Sequence, residues 1–121
     1  MPAASPPDHR DALAPAVERL RKAMVSLPDV NESTSYGTPS LKIGKKLLSR
    51  VKDARTLVIM SPLEEKAALM DAAPDIYFET DHYRDWPAIL VHVDAISDAE
   101  LVHRLECAIR LQAAKRSGRK R

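Results

Sequence analysis

The stretch from Ser40 to Met60 constrains the fold more than any other part of the chain. Its apolar residues alternate with polar ones at a period of two, whereas those from Leu13 to Leu27 recur every three or four positions. The alternation is interrupted at Gly44-Lys45 and at KDAR, residues 52–55. Short β-strands joined by tight turns form antiparallel meanders. We therefore predict an N-terminal helix followed by three antiparallel strands.

Two helix-start signals organise the rest of the chain. Residues 61–72 open with Ser-Pro-Leu-Glu. The serine is a good cap, the proline suits the first helical position, and the glutamate completes a capping box. Ser97, with Glu100 three residues later, repeats the box and predicts a last helix. Between the two helices, IYFET and PAILVHV are strand candidates, and the second is apolar on both faces, which is typical of a strand inside a sheet.

These segments predict one α+β domain. The order is α-β-β-β-α-β-β-α, which favours an antiparallel sheet of about five strands with helices packed on it. A chain of 121 residues suits a single domain. We expect a disordered leader over residues 1–10, the domain over 11–116 and a basic tail over 117–121.

The compartment is predicted from three features of the sequence. Cys107 is the only cysteine, so no internal disulfide can form. The first ten residues, MPAASPPDHR, lack the basic head and apolar run of a signal peptide. No apolar run approaches the roughly 18–20 residues of a membrane helix. We expect a soluble, cytoplasmic protein.

The polar stretch ESTSYGTPSLKIGKK, residues 32–46, contains hydroxyls, glycines and lysines that could suggest a phosphate loop or a nucleophile site. Gly37 and Gly44 are seven apart and Leu47 follows the lysine pair, so the P-loop pattern fails. No serine here has the Gly-x-Ser-x-Gly context of a nucleophile elbow. We read the stretch as the approach to the sheet. We expect its hydroxyl residues to bond to the backbone in turns; they are Ser33, Thr34, Ser35 and Thr38.

Basic residues concentrate in the predicted meander, where Asp53 is the one acid among six cations. Strict alternation places Arg50 and Lys52 on one strand face and Leu47 and Val51 on the other. The outward face would then be positive and could contact DNA phosphates without reading sequence. The alternative is a solvated face whose lysines prevent edge-to-edge pairing. The candidate nucleic-acid-binding residues are Lys42, Lys45, Lys46, Arg50, Lys52 and Arg55.

The C-terminal run KRSGRKR holds five of the 19 basic residues and no acid, which leaves 14 basic against 17 acidic residues elsewhere. The tail could add polyanion affinity, or it could be a solubilising end.

Four of the five aromatic residues lie within residues 77–86. The loop DHYRDW could line a binding site for a protein or a small ligand, since Tyr, Trp and Arg anchor interfaces. Alternatively, the rings fill one end of an aliphatic core. The candidate ligand or partner residues are His82, Tyr83, Arg84 and Trp86.

The same loop contains Glu79, Asp81, His82 and Asp85, which are residue types that bind metals or transfer protons. No second histidine lies at helical or hairpin spacing from His82. We therefore predict no metal site, no cofactor and no catalytic residue, and rank a metal-assisted hydrolase last. Cys107, between Glu106 and Ala108, is predicted to be a small buried hydrophobe.

The order and spacing of four segments resemble the MmcQ/YjbR-like family of small bacterial proteins. These segments are SLPDVNESTSYGTPSLKIGKKLL, SPLEEKAALMDAAPDIYF, TDHYRDWPAILVHV and the final helix. The resemblance covers residues from about Ala12 to Arg116. It implies a compact α+β domain with a "double wing" arrangement, an expected DNA-binding role and no enzymatic activity. The sequence leaves the oligomeric state open.

Overall fold

The structure is a computed structural model that describes Leu13, residues 15–35 and residues 37–118, with only the backbone for 114–118. The helices are α1 (Ala16–Met24), α2 (Leu63–Ala72) and α3 (Asp98–Gly118), and a short 3₁₀ helix spans Asp81–Tyr83. The strands are β1 (Asn31–Ser35), β2 (Thr38–Ile43), β3 (Lys46–Asp53), β4 (Thr56–Met60), β5 (Tyr77–Phe78) and β6 (Ala88–His92). The predicted leader lies outside the described residues.

The strands form one antiparallel sheet in the order β1-β2-β3-β4-β6-β5. The α+β class and the three-strand meander β2-β3-β4 are confirmed. PAILVHV is also confirmed as an internal strand, since β6 lies between β4 and β5 and its residues 88–91 are all buried. The described part of the chain has six strands, where about five were expected.

The additional strand is β1, with the sequence NESTS. It pairs with β2 from Asn31↔Lys42 to Ser35↔Thr38. An edge strand needs only its backbone ladder, so a run without apolar residues can pair, and its composition resembles a loop. One predicted turn contact is present, because the Thr38 hydroxyl donates to the Ser35 carbonyl at 3.1 Å.

A β-bulge at Leu48 changes the face assignment in β3. Leu41 pairs with Ser49 but Lys42 pairs with Leu47, which leaves Leu48 as the extra residue. Leu48 and Val51 are fully buried in the main core, whereas Leu47 lies on the other face beside Arg50 and Lys52. The expectation that Leu47 faces the helices is wrong, because a bulge shifts a period-two pattern by one residue.

The main core lies between the sheet and the helices. α1 contacts β3, α3 contacts β3, β4 and α1, and α2 contacts β5 and β6. Leu20 of α1 and Leu105 of α3 are buried here against Leu57 and Ile89 of the central strands. Asp98, at the start of α3, pairs with Arg19 and Lys22 of α1. The helices therefore cover one face of the sheet.

The two predicted helix caps behave differently. The Ser97 hydroxyl accepts the Glu100 N–H at 3.0 Å, which confirms the cap of α3. In α2, the N-cap position belongs to Pro62, and Ser61 makes no cap bond. Ser61 is buried, and its N–H donates to the Pro87 carbonyl. This hydrogen bond holds Ser61 against the loop before β6, one residue before the N-cap position. No helix in the described ranges is long and apolar enough to cross a membrane.

Candidate binding cleft on the open face of the sheet

The sheet face opposite the helices, called here the open face, carries both apolar and basic side chains. Strand alternation places Val58 and Met60 of β4, and Ala88 and Leu90 of β6, on this face. Val58, Ala88 and Leu90 form a second, smaller buried cluster. Their neighbours on β3 and β2 are polar or basic except for Leu47. The open face thus changes from apolar at the centre of the sheet to basic toward β1.

Arg50 lies at this change because it alternates with Val51, which is buried on the helix side. It pairs with Ser40 on one side and Val58 on the other. Its Nη2 donates to the Tyr83 hydroxyl at 2.7 Å, and its Nη1 lies 3.5 Å from the Thr38 hydroxyl. These bonds hold a half-buried guanidinium against the sheet, so its charge has a fixed position.

The segment 79–87 crosses the open face and supplies aromatic rings. Tyr83 packs against the smaller apolar cluster. Trp86 is 62% exposed, although tryptophan usually buries most of its surface. Asp85 has φ of 69°, a left-handed conformation that is uncommon outside glycine and needs surrounding structure to hold it.

Lys66 of α2 provides that support. The residue is only 2% exposed. Its Nζ donates to the carbonyls of Tyr83 at 2.7 Å and Trp86 at 3.0 Å, and pairs with Glu79 at 2.7 Å. All three donors of a buried ammonium are therefore used. Lys66 fixes the loop that carries Tyr83 and Trp86.

Together, the sheet and this loop enclose an open cleft of about 500 Å³. This volume is within the range of small-molecule sites. The floor is apolar, one wall is aromatic and the other wall is basic. The lining residues are Thr38, Leu47, Arg50, Lys52, Val58, Met60, His82, Tyr83, Trp86 and Ala88.

The charge in the cleft is one-sided. Among the described residues the lining contains no carboxylate. Three nearby acids are engaged elsewhere, since Glu79 pairs with Lys66, Asp81 with Arg84, and Asp53 accepts the Arg55 N–H. Asp85 of the same loop is exposed and lies outside the lining. The positive charge of such a cleft attracts anions, and its apolar side chains can cover an apolar part of the same molecule.

The predicted basic residues do not all meet. Arg50 and Lys52 line the cleft, and Lys42 shares the open face through its pairing with Leu47. Lys45 lies in the β2–β3 turn, where Gly44 has φ of 61°. Lys46 pairs with Ile43, which packs toward the main core, so register places Lys46 on the helix side.

Arg55 lies apart from this group. It is in the β3–β4 turn, and its Nη1 donates to both carboxylate oxygens of Asp94, at 2.7 and 2.9 Å. α3 continues to Gly118, two residues past the predicted domain boundary. Residues 119–121 of the predicted basic tail, and the side chains of 114–118, lie outside the described set.

The aromatic loop divides between the core and the cleft. His82, Tyr83 and Trp86 line the cleft, whereas Arg84 is exposed and pairs with Asp81. Tyr77 is buried in the main core. Phe78 stacks on His92 with ring centroids 4.1 Å apart. Tyr77 therefore fits the core alternative, whereas the ligand or partner role of the rings that line the cleft stays a prediction.

Within the described ranges, no group of three or more His, Cys, Asp and Glu side chains lies close enough to hold a metal ion. Cys107 is half-buried rather than buried. The Arg110 guanidinium lies 3.3 Å and the His103 ring 3.9 Å from its sulfur. The prediction that Cys107 is buried is wrong, and the Arg110 guanidinium lies beside its sulfur because residues three positions apart are neighbours on a helix.

Sequence reasoning missed the cleft floor and Lys66. Strand alternation in TLVIM and AILVH would have placed Val58, Met60 and Ala88 on one face. It could not reveal that the loop leaves space above them. Nothing in the sequence distinguishes Lys66 from an exposed helical lysine.

Comparison of the chain with protein-family models, curated proteins and solved structures finds no match. The resemblance to MmcQ/YjbR-like proteins therefore stays a prediction.

Proposed function

We propose that this domain is a non-enzymatic binding module and that its site is the open-face cleft, which takes an organic anion. One observation carries the proposal. Arg50 and Lys52 share a lining with an apolar floor and the exposed ring of Trp86, and the described lining holds no carboxylate.

The cleft offers two kinds of interaction to one ligand. Arg50 is held in place by Tyr83, so it needs little reordering to meet a negative group. Trp86 is partly exposed before any ligand binds, so covering it removes apolar surface from water. A charged group and an apolar or planar body in one molecule would use both.

An NMR titration of the ¹⁵N-labelled full chain tests the proposal. A panel of aromatic and aliphatic carboxylates, sulfonates and nucleoside monophosphates is added in turn. At least one anion should shift amide signals in residues 47–52, 58–60 and 82–88, in a saturable way. If every member leaves these signals unchanged, or shifts only signals from α1 and α3, the cleft is not an anion site.

DNA is a second candidate ligand for the open face. Within the described residues, Lys42 and Lys52 of this face and Lys45 of the adjacent turn form no ion pair, whereas Lys46, also without one, lies on the helix side. Lysines without acidic partners can neutralise phosphates. The resemblance to the MmcQ/YjbR-like family also favours this candidate, and the tail residues Lys115, Arg116, Arg119, Lys120 and Arg121 could add affinity.

Binding of a labelled duplex at increasing salt tests this candidate. The logarithm of the affinity should fall linearly with the logarithm of salt concentration, by about 0.9 per phosphate contacted. Lys52→Ala should reduce that slope by about one. Lys22→Ala, on the helix side, is the matched control and should leave it unchanged. No binding at low salt, or equal effects of the two substitutions, would exclude a phosphate-binding open face.

A further inference from the structure

The cleft floor is poor in hydrogen-bonding groups. Leu47, Val58, Met60 and Ala88 contribute only hydrocarbon and thioether surface. The hydroxyls of Thr38 and Tyr83 already face Arg50, at 3.5 and 2.7 Å. The His82 imidazole and the Trp86 indole are the remaining polar groups of the lining that are not cations.

This lining limits what the buried part of a ligand can be. A donor or acceptor buried without a partner costs about 1–3 kcal/mol. A nucleobase or a sugar carries several such groups, and the floor cannot satisfy them. A hydrocarbon chain or an unsubstituted aryl ring has none, and Met60 can adapt to its shape.

The basic side of the cleft determines the other end of the ligand. Arg50 is half-buried and Lys52 is exposed at the same lining. A carboxylate has two acceptor oxygens, which one guanidinium and one ammonium can serve. A carboxylate adds a charge-assisted contact to both side chains, which a neutral ligand does not.

We infer that the cleft binds a carboxylic acid with an unsubstituted alkyl or aryl body. The body lies on Leu47, Val58 and Met60 beside Trp86, and the carboxylate meets Arg50 and Lys52. This inference rests on the proposed function, and it narrows an organic anion to one chemical class.

Trp86 is the only tryptophan in the chain, so its fluorescence reports directly on the cleft. The full chain is titrated with octanoate and with 4-phenylbutanoate. Trp86 is excited at a wavelength that the ligands do not absorb. Octanamide is the uncharged control, and adenosine 5′-monophosphate is the control for a polar body. A saturable change is expected with at least one carboxylate, at least about tenfold tighter than with either control.

Two variants test the placement of the charge. Lys52→Ala should weaken carboxylate binding about two- to fivefold, as expected for one exposed ion pair. Lys45→Ala removes an exposed lysine outside the lining and should leave the affinity unchanged. Equal affinities of the two variants would overturn the placement of the carboxylate.

The controls separate failure of this inference from failure of the proposed function. Adenosine monophosphate binding as tightly as the carboxylates would overturn the inference and leave an anion-binding cleft. Octanamide binding equally well would overturn both, because charge would then play no part. No fluorescence change with any carboxylate or with the nucleotide would also count against both.

Discussion

Lys66 shows how one buried charge can position a loop. Removing a buried cation leaves its partners without donors, which is more costly than the net contribution of the pair. In this protein the partners are Glu79 and the carbonyls of Tyr83 and Trp86. The lysine therefore links α2 to the cleft wall.

Lys66→Met should lower the free energy of unfolding by about 3–5 kcal/mol. It should also change Trp86 emission in the folded state, since the loop loses its support. Urea unfolding followed by circular dichroism measures the first effect. Lys45→Met, at an exposed turn position, is the control and should stay within about 0.5 kcal/mol of wild type. Equal stabilities of the two variants would contradict the role of Lys66.

Tyr77 links stability to alkaline pH. Burial, together with its hydrogen bond to Glu100, raises the pKa of the Tyr77 hydroxyl well above its ordinary value of 10.0. The unfolded chain therefore loses this proton at a lower pH than the folded chain does. Stability from this group is fully present below pH 10 and falls as pH rises above it.

Tyr77→Phe should make the decline in unfolding free energy above about pH 10 less steep than in wild type. At neutral pH it should cost about 0.5–1.5 kcal/mol, the net contribution of one hydrogen bond. Urea unfolding at several pH values measures both quantities. Tyr83→Phe, on the open face, is the comparison. If the unfolding free energies of the two variants fall equally steeply with alkaline pH, Tyr77 is not the source of the decline.

At the level of strands, the bulge in β3 determines which leucine belongs to the core. At the bulge, the Leu47 carbonyl accepts a hydrogen bond from the Gln112 side chain of α3 at 2.6 Å. The Ser49 hydroxyl also donates to the Val58 carbonyl at 2.7 Å. With these bonds the irregularity leaves β3 well joined to its neighbours, and it turns Leu47 toward the cleft.

Leu48→Ala should destabilise the protein by about 2–5 kcal/mol, because a fully buried leucine leaves a cavity. Leu47→Ala should cost less than about 1 kcal/mol, since Leu47 is only half-buried. Chemical denaturation of the two variants makes the comparison. Strict alternation predicts the opposite ranking, so a larger loss for Leu47→Ala would rule out the bulge.

Across the whole molecule, one sheet separates two surfaces of different composition. The helices and the larger core make one side solid. On the other side, a loop bridges from β5 to β6 and leaves a cleft beside basic residues. The charge balance of the whole chain, +2, does not describe this surface. What matters for an anion is where the cations lie relative to the acids.

Amine labelling should distinguish the two surfaces in the intact protein. Lys45 and Lys52 are exposed and should react with acetic anhydride quickly. Lys66, whose side chain is 3% exposed, should react at least about tenfold more slowly. Mass spectrometry of the peptides measures the rates. The protection of Lys66 should disappear at the urea concentration that unfolds the sheet. Loss of protection at a much lower urea concentration would show that the loop opens independently.

Local patterns were sufficient for the α+β class, the meander from β2 to β4, the buried strand β6 and the cap at Ser97. These features depend on residues near one another in the chain, where periodicity and capping act directly. The edge strand β1, the bulge at Leu48 and the burial of Lys66 depend on pairing between distant segments. The same is true of the cleft. Arg50 and Val58 meet because β3 pairs with β4, and Trp86 joins them because the loop before β6 lies over the same face of the sheet. No short stretch of sequence determines these contacts between distant segments.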